Sequence, residues 1–308
     1  MEKQYDVVIV GGGPAGYSAA LYCVRAGLSV LVLEMLSAGG QMATTSQVDN
    51  YPGFEGGIDG FELAEKMQAG AERFGAVSEF AEVTGMDLVR QPKVIHTTEG
   101  VVEARAVVLA MGASPRKIGL PGEAELVGRG VAYCAACDGM YYKGKVVAVA
   151  GGGNSAAADA LTLSKLCKKV YLVHRRDSLR ADPVYLEPLK QTENLEFVWN
   201  AQIDELLHGE KLTGLALTDK VTGEHSTLNC DGLFVAIGRD PNTALVRGQV
   251  DLDAQGYLVA DETTRTSVPG VFAVGDIRTK PLRQIVTAAA DGAVASKFLS
   301  EYLREQKF

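Results

Sequence analysis

Apolar residues in this chain fall in short unbroken runs separated by stretches of helical periodicity. Val7–Val10, β-branched and free of polar residues, reads as a parallel strand buried on both faces. It enters the turn Gly11-Gly12-Gly13, then a helical stretch over Pro14–Ala26 and a second apolar run, Leu28–Leu33. The same succession returns 140 residues later: Val146–Ala150, Gly151-Gly152-Gly153, a helix over Asn154–Leu166 and a strand over Lys169–Val173. Strands are also expected at Ala106–Ala110 and Leu233–Ile237, running into Met111-Gly112 and Gly238, turns that close a nucleotide-binding half. Val271–Val274 runs into Gly275-Asp276, and Arg283–Arg304 has apolar residues near a 3.6 spacing. Gly292 inside that last helix is costly unless another backbone lies close to it.

This pattern predicts an α/β fold of two Rossmann-like nucleotide-binding domains, the second inserted in the first. A length of 308 residues suits two domains at ~150 residues each. The Gly275-Asp276 segment most simply completes the domain begun at residue 1, so the joints are expected at Lys117–Gly122 and Pro241–Gly248. The domains are then 1–115 with 245–308, and 116–244. Hydrophobic residues make up 47% and charged residues 22%, which excludes disorder. A net charge of −8 argues against a nucleic-acid binder. No apolar run approaches the ~18 residues of a membrane helix, and Met1–Asp6 has no signal-peptide core. Five cysteines do not make a disulfide scaffold, and a cytoplasmic enzyme is expected.

Each turn carries a dinucleotide motif. The first is Gly11-x-Gly13-x-x-Gly16, the second Gly151-x-Gly153-x-x-Ala156. The first glycine permits the tight turn, the second lets backbone approach a pyrophosphate, and the third small residue lets helix and strand pack closely. Phosphate then sits on the helix N-terminus. A glycine-rich turn alone is weak, but each motif here follows a strand and precedes a helix.

The second strand of each copy distinguishes the ligands. Glu34, 18 residues past Gly16, is placed to accept from an adenosine ribose. The equivalent position in the second copy is His174, followed by Arg175, Arg176 and Arg180. Guanidinium groups bind a 2′-phosphate that a carboxylate repels. Copy one therefore suits FAD or NAD and copy two NADPH; the alternative for the basic cluster is a solvated loop. Asp276 is placed to hold a flavin ribityl chain or to cap a helix.

Cys134-Ala135-Ala136-Cys137-Asp138 precedes the second copy. A C-x-x-C pair is a metal half-site, an inert buried pair or a redox dithiol. Zinc needs four ligands; the other cysteines, Cys23, Cys167 and Cys230, are single, and no histidine stands near at ligand spacing. A redox disulfide is favoured and no metal is expected. Cys23 and Cys167 read as core residues. Asp138 can be a proton donor or acceptor for the thiols or a helix cap, two compatible roles.

Gly11–Tyr17, Gly39-Gly40-Gln41, Asn50–Gly53, Gly128–Val131, Cys134–Gly139, Gly151–Ser155, His174–Arg176, Gly275-Asp276 and Arg283-Gln284 together resemble the low-molecular-weight bacterial thioredoxin reductases over essentially the whole chain. The resemblance implies an NADPH-dependent disulfide reductase, a homodimer with FAD in each chain, Cys137 facing the flavin, Cys134 attacking thioredoxin, and a rotation between domains. It implies FAD contacts at Gly11, Gly13, Pro14, Ala15, Gly16, Glu34, Gly40, Gln41, Asn50, Val83, Gly112, Gly275, Asp276, Arg283 and Gln284. It implies NADPH contacts at Gly153, Asn154, Ser155, His174, Arg175, Arg176, Arg180, Ile237 and Gly238. Arg129, Tyr141 and Tyr142 match positions that meet thioredoxin. Met111, Ala136 and Ile285 depart from the family pattern without touching a sulfur or a phosphate-binding arginine. A ferredoxin- or flavodoxin-NADP reductase has no use for the cysteine pair, and a flavin-binding sensor would show no turnover with NADPH and a disulfide protein.

Overall fold

The computed structural model describes residues 3–45 and 47–306. The chain forms two compact units, Met1–Ser114 with Asp240–Phe308, and Pro115–Arg239. The crossings fall one and five residues before the expected positions. Neither expected joint is slack. Glu123, buried in the second unit, accepts from the Ile118 and Gly119 amides at 2.9 and 2.8 Å and from the Tyr133 hydroxyl at 2.8 Å. In the first unit, Thr243 and Val246 are buried, and the Thr243 hydroxyl donates to the Gly256 carbonyl.

The first unit opens with β1 (Lys3–Val10), α1 (Pro14–Arg25) and β2 (Val30–Glu34), followed by α2 (Gly60–Glu72), β3 (Val77–Phe80), β4 (Val83–Asp87), β5 (Lys93–Thr97) and β6 (Gly100–Leu109). Its sheet runs β3-β2-β1-β6-β5-β4. The β1 strand is buried on both sides. Val7 and Ile9 pack with α1, α2 and C-terminal residues such as Leu299. Val8 and Val10 pack on the other face with Leu31, Leu88 and Leu258. The second strand starts at Val30 and not Leu28, because the chain is still leaving α1: Gly27 is left-handed (φ 84°) and the Leu28 amide donates to the Cys23 carbonyl.

A short strand, β7 (Ala113–Pro115), leads into the second unit. There follow β8 (Val131–Ala132), α3 (Ala135–Asp138), β9 (Val146–Ala150), α4 (Asn154–Ser164), β10 (Lys169–Val173), α5 (Pro183–Gln191) and β11 (Leu195–Val198). An antiparallel layer of β12 (Ala201–His208), β13 (Leu212–Asp219) and β14 (His225–Asn229) precedes β15 (Gly232–Val235). The parallel sheet is ordered β11-β10-β9-β15-β8. Pairing repeats with the 140-residue offset: Val7↔Val30 in the first unit becomes Val147↔Val170 in the second.

After β16 (Arg239–Pro241) the chain completes the first unit. The β17 strand (Val271–Ala273) lies parallel to the C-terminal half of β6, whose N-terminal half pairs antiparallel with β5. The last helix is α6 (Ile285–Glu305). A Cβ at Gly292 would stand 2.3 Å from the Ala15 carbonyl oxygen and 2.6 Å from the Ala19 nitrogen. Close approach of α6 to α1 is thus the reason for the glycine that the sequence left in need of one. Among the described residues, no helix is long and apolar enough to cross a membrane.

Candidate functional site

The two glycine turns are built alike. Each first glycine has positive φ, and the carbonyl just past β6 or β15 leaves no room for a side chain. A Cβ at Gly11 would lie 2.5 Å from the Ala110 oxygen, and one at Gly151 2.4 Å from the Ala236 oxygen. A Cβ at Gly16 would lie 2.0 Å from the Gly11 oxygen, which explains the third glycine. The second glycines are different. A Cβ at Gly13 meets nothing nearer than 4.0 Å, and one at Gly153 nothing within 4 Å. The fold does not itself demand glycine there, whereas an approaching pyrophosphate does. Gly13 and Gly153 precede α1 and α4 with no side-chain cap, leaving first-turn amides for an anion. Both turns fit a dinucleotide.

In the first unit the remaining candidates gather around this turn. Glu34 accepts from the Gly12 amide through Oε2 at 2.7 Å and from the Met35 amide through Oε1 at 2.8 Å. Oε1 also accepts from the Leu36 amide at 3.5 Å, so Oε2 is the oxygen that keeps a lone pair for a ribose hydroxyl. The Ala81 amide, two residues before Val83, donates to the Glu34 carbonyl. The Gly39 amide donates to the Gly12 carbonyl, setting the turn Gly40–Thr44 beside Gly13. Gln41 donates through its amide nitrogen to the Ala113 carbonyl, close to Gly112. Asn50 donates to Gln284 Oε1 at 3.1 Å, and Gln284 caps α6 in a reciprocal box with Thr287. Asp276 lies in the turn Gly275–Ile277 and caps no α-helix. The Arg283 guanidinium donates to the Asp276 carbonyl and lies 4.0 Å from the Tyr257 ring centroid.

Sequence reasoning missed what holds the Gly275 turn. Asp291 of α6, 7% exposed, accepts from the Gly275 amide at 2.9 Å, from Arg278 Nε and Nη2 at 3.0 Å each, and from Lys280 Nζ at 2.7 Å. Burial opposes its charge, yet the Arg278 and Lys280 hydrogen bonds and charges outweigh burial and hold its carboxyl below the ordinary value. An acid on the buried stripe Ala288–Ala295–Leu299 was the available signal.

In the second unit Arg175, Arg176 and Arg180 are exposed beside the turn, and the Arg180 amide donates to the Gly152 carbonyl at 2.7 Å. His174 does not join them. It is 6% exposed, and a Cβ at Gly152 would lie 2.2 Å from its ring. Burial first, then the three arginines, push its pKa down, so the ring is neutral and supports the turn from below. Ile237 and Gly238 follow β15, which ends at Val235. The Gly238 carbonyl accepts from the Arg116 amide.

Cys134 and Cys137 form a disulfide with Cα atoms 5.3 Å apart. Cys134 is the extended residue before α3 and Cys137 lies within it, so the turn of helix sets their spacing. Burial raises the Asp138 carboxyl above its ordinary value, which favours its holding a proton beside the thiols; it caps neither of the turns it touches. Burial pushes the thiols of Cys23 and Cys230 to about 12 and that of Cys167 to about 11, leaving them inert. Arg129 is exposed, and Tyr141 is 44% exposed. Tyr142, matched in sequence to a thioredoxin contact, is instead a core residue, 8% exposed. Its ring meets Phe234 edge-on at 5.1 Å and fills the space left by Gly232.

Two nucleotide-binding βαβ units and a disulfide of C-x-x-C spacing define a pyridine-nucleotide-dependent disulfide oxidoreductase. The family model for pyridine nucleotide-disulphide oxidoreductases matches residues 5–292. A thioredoxin reductase of Mycolicibacterium smegmatis is 45% identical over 98% of this chain and 97% of its own. The solved thioredoxin reductase of Streptococcus pyogenes MGAS5005 is 37% identical, with a TM-score of 0.90 over 99% of this chain and all of its own. That of Giardia duodenalis is 35% identical, with a TM-score of 0.90 over 98% of this chain. The chain belongs to the thioredoxin reductase family of pyridine nucleotide-disulphide oxidoreductases, and its cofactors are FAD and NADPH.

Proposed function

We propose that this protein is an NADPH-dependent reductase of thioredoxin, acting through FAD and the Cys134–Cys137 pair, as a cytoplasmic homodimer. The observation that carries the reading is the Cys134–Cys137 disulfide in the same unit as the basic nucleotide turn. The homodimer and the cytoplasmic location rest on likeness to the family.

In this reading the first-turn amides of α1, with Gly11, Gly13, Pro14, Ala15 and Gly16, hold the FAD pyrophosphate. Glu34 accepts from the adenosine ribose, and Gly40, Gln41, Asn50, Val83, Gly112, Gly275, Asp276, Arg283 and Gln284 line the rest. Gly153, Asn154 and Ser155 take the NADPH pyrophosphate at α4, with Ile237 and Gly238 alongside. Arg175, Arg176 and Arg180 bind the 2′-phosphate, and His174 packs against Gly152 of the turn. FAD, when bound, supplies the two-electron relay between NADPH and the disulfide.

The remaining chemistry belongs to the dithiol. Reduction breaks the S–S bond with two electrons and leaves two sulfurs, one or both protonated. The Cys134 thiolate attacks a partner disulfide sulfur and the partner's other sulfur leaves as thiolate. The Cys137 thiolate then attacks Cys134 Sγ in the mixed disulfide, releasing the reduced partner and restoring the internal disulfide. Asp138 holds the proton that the departing thiolate takes. Arg129 and Tyr141 offer the exposed contacts for the partner. NADPH oxidation that depends on added thioredoxin tests this; FAD reduction by NADPH with no turnover of thioredoxin would refute it.

A further inference from the structure

Trp199, the single tryptophan of the chain, stands directly past β11, the edge strand of the second unit's parallel sheet. Ligands of such sheets bind outside the carboxyl ends of the strands, and Trp199 is at that end. Its indole is half-buried. The Phe197 ring stacks on it, with centroids 4.8 Å apart and planes 5° from parallel, and the His174 ring meets it edge-on at 6.5 Å. Phe197 packs in turn on the core cluster that includes Ala160 of α4 and Leu189 of α5. Backbone hydrogen bonds tie this end of β11 to the basic stretch. The His174 amide donates to the Val198 carbonyl at 2.9 Å, the Asn200 amide to the Arg176 carbonyl at 3.1 Å and the Ala201 amide to the His174 carbonyl at 3.0 Å. Asn200 turns the chain there in a left-handed conformation (φ 52°), which asparagine tolerates.

The internal repeat gives this position a meaning. In the first unit the register of β2 and β3 sets Phe80 opposite Glu34, the ribose position. In the second unit β10 and β11 pair Val173 with Val198, and one step further sets Trp199 beside His174, the counterpart of Glu34. Each unit thus places an aromatic residue one strand over from its ribose position. We infer that Trp199 is a further binding residue for NADPH, the exposed part of its indole lying against the adenine while Arg175, Arg176 and Arg180 take the 2′-phosphate. The inference rests on the second turn being the NADPH site. The base hangs from the same ribose as the 2′-phosphate, so arginines and adenine cannot lie far apart, and an aromatic ring offers a base a stacking face. The indole touches a part of the coenzyme that NADPH and NADH share, and so adds affinity for both without choosing between them.

The test uses the oxidised FAD-bound protein and adenosine 2′,5′-bisphosphate, which carries the base and the 2′-phosphate but no nicotinamide and so reduces nothing. Emission from the single tryptophan is expected to be quenched saturably by this ligand. In calorimetry Trp199→Leu weakens the bisphosphate about 5-fold or more, and adenosine 5′-monophosphate by the same factor, because both carry the base. Trp199→Phe keeps a ring and most of the affinity. A loss confined to the bisphosphate would show that the indole only props the arginine stretch and would overturn the inference. Parent affinity in Trp199→Leu, or emission indifferent to both ligands, would overturn it as well. Quenching by both ligands at equal affinity would refute the arginine assignment and still support stacking. These readouts need no thioredoxin, so failure of the parent to reduce thioredoxin would count against the proposed function and not against this result.

Discussion

Replacing Asp291 tests what holds the Gly275-Asp276 turn against α1. The acid is the common partner of Arg278, Lys280 and the Gly275 amide. The Arg278 and Lys280 side chains are only 5% and 4% exposed. Asp291→Ala leaves two buried cations without a counter-charge and one amide without its acceptor. Breaking a buried pair in this way costs about 3–5 kcal/mol. At roughly 2–4 °C per kcal/mol for a unit of this size, the unfolding midpoint falls by about 6–20 °C. Asp291→Asn keeps one oxygen for Gly275 and loses less. The carboxyl is held below its ordinary value in the folded protein, so its contribution is present above the unfolded pKa and is lost as pH falls through the folded one. Thermal unfolding of parent and variants at pH 7 and again at about pH 3, below the ordinary carboxyl value, measures both effects, with FAD retention read from visible absorbance. An Asp291→Ala midpoint within about 1 °C of the parent at pH 7 would refute the argument.

Other outcomes follow from the nucleotide turns. Arg175→Ala with Arg176→Ala weakens NADPH by about 10- to 100-fold per lost contact and spares NADH, as KM for the two coenzymes will report. Equal loss for both would show that the arginines do not read the 2′-phosphate. Gly292→Ala forces α6 from α1, since its Cβ would meet two backbone atoms inside 2.7 Å. The variant is expected to lose FAD on gel filtration, and full retention would contradict the packing.

Much of this architecture was legible because it is local or periodic. The 140-residue offset between Val7 and Val147 carried through to the pairing of strands, since a parallel strand buried on both faces must repeat its register with its sequence. Gly292 announced a close helix contact because nothing local justifies glycine there. The misreadings are side chains whose surroundings come from distant chain. Tyr141 and Tyr142 are neighbours of the same type, and only the packing of Phe234 and Gly232 separates a surface ring from a core ring. His174 looks like part of a basic cluster, yet the fold puts it under Gly152. Asp291 accepts from the Gly275 amide, a partner that sequence spacing cannot pair with it.

The central claim is that Cys134 and Cys137 carry electrons out of the protein, and thioredoxin-dependent NADPH oxidation in the two single serine variants tests it most directly. Cys134→Ser removes the attacking thiolate and Cys137→Ser removes the thiol that resolves the mixed disulfide. Both variants should fall to the rate without thioredoxin, while FAD reduction by NADPH in a rapid-mixing experiment stays near that of the parent. If either variant keeps near-parent turnover of thioredoxin, the pair is not the relay.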